Sequence, residues 1–176
     1  MRFVPALFAL LLAPAVLAAE PPLRQAAEPP PPAGWEVVEM RFLLGTADHD
    51  SRLAHPHHHL ADTGDFDGDG QEDVARLFVQ RDEGVSALFV TLARDAAPWA
   101  HRLATVPLAE VVRLGVVTRK HGDFRTTCNM GVSDDRACGD VSEIGDHDNL
   151  SLFTFESAAR VFWWTPDGFV SAWMSD

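Results

Sequence analysis

Few folds suit a chain that places Asp65, Asp67 and Asp69 at alternate positions, adds Glu72 and Asp73, and then runs directly into the apolar stretch VARLFV. Two carboxylates held about 4 Å apart repel by about 4 kcal/mol at an effective dielectric of 20. Converging aspartates therefore open the loop or take up protons unless a cation neutralises them. A hard divalent ion does this, and calcium accepts about 6–8 oxygen ligands at loop geometry. Gly68 and Gly70 suit a chain wrapped tightly round an ion, because glycine reaches positive φ without a steric penalty. Gln71 is placed to offer its main-chain carbonyl, and Asp73 closes the site from the start of the strand.

An EF-hand fails on two counts. Counting from Asp65, its twelfth position is Arg76 rather than glutamate, and the downstream flank alternates like a strand where a helix is required. A phosphatase of the haloacid-dehalogenase type fails as well. Its Asp-x-Asp-Gly-Thr motif follows a buried apolar strand, whereas HHLADTG stands here and Asp69 replaces the threonine.

The stretch GDFDGDGQEDVARLF (64–78) resembles the calcium loop of FG-GAP/VCBS-type repeats of integrin-like propellers, with Asp67 at the Asn/Asp position of that pattern. The resemblance covers the loop alone, since the motif occurs once and no blade-length repeat accompanies it. It implies Asp65, Asp67, Asp69, Gln71 (main chain) and Asp73 as calcium ligands. More loosely, the layout is similar to small secreted proteins of Gram-negative bacteria, a likeness that names no activity.

The remaining chain supplies a β-rich frame. DVARLFVQ (73–80) alternates, with Ala75, Leu77 and Val79 on one face and Val74 and Phe78 on the other. After the turn RDEG, VSALFVTLA (85–93) returns apolar on both faces, which predicts a hairpin near the centre of a sheet. WEVVEMRFLL (35–44) and AHRLATV (100–106) read as further strands. PLAEVVRLGVV (107–117) reads as a short irregular or helical segment leading into a strand at 114–118. NLSLFTFE, ARVFWWT and GFVSAWMS (149–175) predict three strands, the last two joined by PDG. Residues 46–64 show no periodicity and read as loop. The fold class expected is all-β, or β-rich α+β: a single antiparallel curled sheet or sandwich of about seven to nine strands.

The N-terminus carries a different message. Arg2, the apolar run Phe3–Leu17 and the small-residue pattern Leu17-Ala18-Ala19 form a secretory signal at 1–19. The run is short for a membrane span, Pro5 and Pro14 interrupt it, and no cysteine follows it for lipidation. The expected location is periplasmic or secreted, without stable membrane insertion after cleavage. Residues 20–34 form a proline-rich linker, and 35–176 form the calcium-loop domain. Export favours a disulfide between Cys128 and Cys138, which stabilises by roughly 2.5–3 kcal/mol on a chain-entropy view. With 26 acidic against 14 basic side chains the formal charge is −12. Such a surface repels phosphate backbones, so nucleic acid is a poor partner.

A second metal site is conceivable at HPHHH, where His55, His57, His58 and His59 could hold zinc or copper, with Asp48-His49-Asp50 and Asp146-His147-Asp148 as candidate neighbours. A solvated histidine loop explains the same residues. Catalytic signatures are lacking: there is no GxSxG elbow, phosphate-cradling glycine loop or HExxH helix. Trp35, Trp99, Trp163, Trp164 and Trp173 suit core or half-buried cover better than a sugar platform. The readings left open are a non-enzymatic domain with a structural calcium ion, a transition-metal binder, an acid–base hydrolase using loop-tip His and Asp, and a module binding protein or glycan.

Overall fold

The computed structural model describes residues 29–38, 60–120, 147–155 and 157–174. Among these, nine strands form two antiparallel sheets. The first contains β1 (Glu36–Val37), β2 (Ala61–Gly64), β3 (Asp73–Gln80), β4 (Val85–Thr91) and β5 (His101–Pro107). The second is a meander of β6 (Leu114–Arg119), β7 (Asn149–Thr154), β8 (Ala159–Thr165) and β9 (Gly168–Trp173). A 3₁₀ turn, Leu108–Arg113, carries the chain between the sheets. The all-β expectation is met, in its two-sheet form.

Side-chain alternation explains how the layers meet. Ala75, Leu77 and Val79 of β3 point with Leu88 and Val90 of β4 into a core shared with Val116, Leu150, Leu152 and Phe162 of the second sheet. The opposite face of β3 and β4 is also covered, because Phe78, Ala87 and Phe89 pack against Trp99 and Trp35. Edge-to-face ring contacts, Phe78–Trp99 at 4.8 Å and Trp35–Phe89 at 5.0 Å, fix that cover. The central hairpin is thus apolar on both faces because it is buried on both. Trp99 Nε1 donates to the Pro30 carbonyl at 2.8 Å, so the end of the proline-rich stretch rests on the domain.

One expectation is corrected. Residues 61–64, read as loop, form β2, which pairs with the first half of β3 while β1 takes the second half. Its sequence ADTG has no alternation because the strand is held by polar contacts. Thr118 N donates to Asp62 Oδ2 at 2.6 Å, and Thr118 Oγ1 donates to the Thr63 carbonyl at 2.8 Å. These bonds stitch β2 to β6 and so join the two sheets. The strand expected through residue 44 is described only as far as Val38, with β1 limited to Glu36–Val37. His55, His57, His58, His59, Cys128 and Cys138 lie outside the described residues. Among the described residues no helix is long and apolar enough to cross a membrane.

Candidate metal centre

The acidic loop fills the gap between β2 and β3, and its shape follows from one apolar anchor. Phe66 is 1 % exposed and belongs to the core between the sheets, so the loop turns inward at its second residue. The Phe66 N–H then donates to Asp73 Oδ2 at 2.7 Å, while Ala93 N donates to Asp73 Oδ1 at 2.8 Å. The Gly70 N–H closes the loop by donating to Asp65 Oδ2 at 3.0 Å. Gly68 and Gly70 hold φ of 76° and 81°, the left-handed backbone expected of them. At Gly64 the reason is space: a Cβ would stand 2.7 Å from the Thr118 methyl and 2.9 Å from the Phe66 ring.

The result is a converging set of carboxylates. One oxygen from each of Asp65, Asp67 and Asp73 lies within 4.8 Å of the others. At that separation each pair repels by about 3.5 kcal/mol at an effective dielectric of 20. Burial raises the stake. The Asp67 side chain is 0 % exposed, and Asp65 Oδ1 and Asp67 Oδ2 are buried without a hydrogen-bond partner. Arg94 Nε lies 2.9 Å from Asp67 Oδ2 as an ion pair, off the alignment a hydrogen bond needs. Asp73 is 1 % exposed, and its pKa is pushed up to about 6, chiefly by burial. The Ala93 and Phe66 N–H groups lower it, and the charges of Asp67 and Asp69 raise it further.

Asp69 stands apart from this group. Its Oδ1 accepts from Gln71 N at 2.8 Å and its Oδ2 from Gln71 Nε2 at 2.9 Å, so both oxygens serve the outer turn. Asp65, Asp67 and Asp73 are therefore brought together, and Asp69 and Gln71 brace the loop beside them.

Two further segments support the site. The residues after β4 supply Ala93 N and Arg94, and the hairpin register explains their position: Val74 pairs with Thr91, which sets residues 92–94 beside Asp73. The second segment is His147–Asp148, from the late Asp-His-Asp triple. Asp65 N donates to Asp148 Oδ2 at 3.1 Å, and Asp148 N donates to the Asp65 carbonyl at 3.1 Å. The Lys120 ammonium donates to the same Oδ2 at 2.6 Å, which raises the lysine pKa and neutralises Asp148. The His147 ring stands against Gly68, where a Cβ would approach Nδ1 to 3.4 Å. Asp146 lies outside the described residues.

Comparison of the chain with protein-family models, curated proteins and solved structures finds no match. The geometry of the loop carries the functional reading alone.

Proposed function

We propose that this chain is an exported, non-enzymatic β-sandwich whose Asp65–Asp73 loop holds calcium as a structural ion. One observation carries the reading. Asp65 and Asp67 each bury an oxygen that no hydrogen bond satisfies, and one oxygen from each of Asp65, Asp67 and Asp73 lies within 4.8 Å of the others. Buried acceptors of one sign need a compensating cation, and Arg94 supplies a single positive charge for three carboxylates. The donors are all carboxylate oxygens, drawn from the loop and the first residue of β3, which suits calcium better than the octahedral demands of magnesium or the nitrogen and sulfur preference of zinc. Asp73 begins the central hairpin, so the ion pins the loop to the strand on which the first sheet is built.

Extracellular calcium modules bind at roughly 0.1–1 mM, and at the tight end ~1 mM calcium adds about 1.4 kcal/mol. For a domain of this size that is a shift of about 3–6 °C in Tm. Melting is followed in chelator, in calcium and in zinc. Calcium raises Tm, Asp65→Asn abolishes the rise, and Asp69→Asn only weakens it. Superimposable melting curves in calcium and in chelator refute the reading. A response to zinc alone moves the metal to the histidine loop.

A further inference from the structure

On one flank of the sandwich β5 ends the first sheet and β9 the second, and among the described residues neither has a strand on its far side. A cleft separates them, with residues 100–103 on one side and Phe169 and Ser171 on the other, so the first sheet does not cover the β9 edge. An open strand edge is a template for pairing, and monomeric proteins blunt it with charge, proline or an irregular ladder. β5 has all three: Arg102, Pro107 and a shift of register at Leu88 and Phe89 of its partner strand. β9, with the sequence GFVSAW, has none of them: it carries no charge and no proline, and its pairing with β8 runs unbroken from Gly168 to Trp173. Trp173 at its end is 52 % exposed, the one large hydrophobic side chain so placed among the described residues.

The backbone of β9 fixes the register a partner strand must take. Met174 N donates to the Ala159 carbonyl at 2.9 Å, so the even-numbered residues of β9 turn their N–H and C=O groups to β8. Alternation turns those of Phe169, Ser171 and Trp173 to the open side. An antiparallel copy of the same strand uses all three when Ser171 lies on a two-fold axis. Ser171 then meets Ser171, Phe169 meets Trp173 of the other copy on each side of the axis, and every facing pair exchanges two N–H···O bonds. The side chains agree with this register. The Phe169 ring is anchored by Trp164 at 5.0 Å and His101 at 5.4 Å, and it receives the exposed Trp173 as an aromatic cross-strand pair. On the opposite face Val170 meets Ala172. Charges are complementary at the ends: Asp167, in the turn of one copy, arrives where Arg160 of the other stands, its guanidinium 6.0 Å from the centre of its own Trp173 ring.

We propose that β9 is a self-pairing edge: two copies of this chain join antiparallel through Gly168–Trp173 about a two-fold axis at Ser171, and their second sheets become one. A six-residue edge is about 20 Å long, which sets the contact at the small end of stable interfaces, about 1,200 Å² in all, and the association in the micromolar range. The calcium reading is not a premise here, because β9 takes no part in the acidic loop.

Sedimentation velocity on the purified protein in excess calcium, from about 1 to about 500 µM, provides the test. The unmodified chain passes from monomer to dimer across this range. Ser171→Lys sets like charges face to face on the axis and abolishes the dimer, Ser171→Glu does the same, and an equal mixture of the two variants restores it. Trp173→Ala, a change on an exposed side chain, weakens association about tenfold or more. A chain that stays monomeric throughout the range overturns the proposal. Dimers unchanged by Ser171→Lys or by Trp173→Ala in folded variants place the interface elsewhere and overturn it too. A mixture of the lysine and glutamate variants that remains monomeric overturns the two-fold register at Ser171.

Discussion

The Asp65–Asp73 loop and the ring cluster of His101, Trp164 and Phe169 lie on either side of Arg94 and are built in opposite ways. The loop is one contiguous segment whose charges converge because Phe66, buried among the strands, pulls them inward. The aromatic cluster is assembled from β5, β8 and β9, strands far apart in sequence. Local sequence can create an acidic focus with a single anchor, whereas an aromatic cluster drawn from both sheets requires the whole sandwich to be in place. The loop should therefore depend on few residues, and the ring cluster on the fold as a whole.

The largest way to break this contrast is Phe66→Ala. Deleting a buried phenylalanine costs about 3–5 kcal/mol through lost transfer energy and the cavity left behind. The same change frees the loop from the core, so calcium no longer raises Tm even where the variant stays folded. Calorimetric melting with and without calcium reads both effects. A destabilised variant that keeps the full calcium shift shows that the loop is organised without its anchor.

Titration sharpens the contrast next, because the loop holds a carboxylate whose ionisation the fold resists. Asp73 has a pKa of about 6 in the fold against an ordinary 3.8. Between those values the folded chain keeps a proton that the unfolded chain has released, so calcium-free stability falls as pH rises through this window. The full effect, reached above pH 6, is about 3 kcal/mol. Calcium requires the ionised carboxylate and reverses the sense, since its stabilisation grows as pH rises through 6. Urea unfolding between pH 4.5 and 7.5, with calcium and without, should give diverging curves. Parallel curves mean that Asp73 does not face the ion.

How far the sequence foretells each region follows from the same contrast. Alternation in VARLFVQ places Ala75, Leu77 and Val79 correctly against Val74 and Phe78, because a strand's faces are encoded at period two. The loop glycines and three of its aspartates are legible for similar local reasons. Asp69 accepts from both Gln71 amides, an equally local pairing, and is not one of the three carboxylates that converge. Asp148, Lys120 and His147 reach the loop only through the meander of the second sheet, a distance in sequence that no local pattern records. The strand Ala61–Gly64 escapes for a related reason: its partners are the β3 backbone and Thr118, not an apolar face. Arg94 was within reach, since a hairpin pairing Val74 with Thr91 forces the next residues alongside Asp73.

Arg94 belongs to both regions, and its removal is the smallest and most discriminating change. Its guanidinium spans the buried Asp67 carboxylate and the Trp164 ring. Breaking a buried ion pair from one side typically costs about 3–5 kcal/mol, because the remaining charge is left unpaired. Arg94 is 46 % exposed, so solvent screening reduces the loss to about 1–2 kcal/mol in calcium-free protein. With calcium bound the ion answers Asp67 directly and the loss shrinks, so Arg94→Gln should enlarge the calcium-induced rise in Tm. It should also remove any calcium-dependent change in the emission of Trp164, whose contact with the loop runs through this guanidinium. A smaller calcium shift in the variant would reverse the assignment: Arg94 would then orient Asp67 toward the ion instead of competing with it.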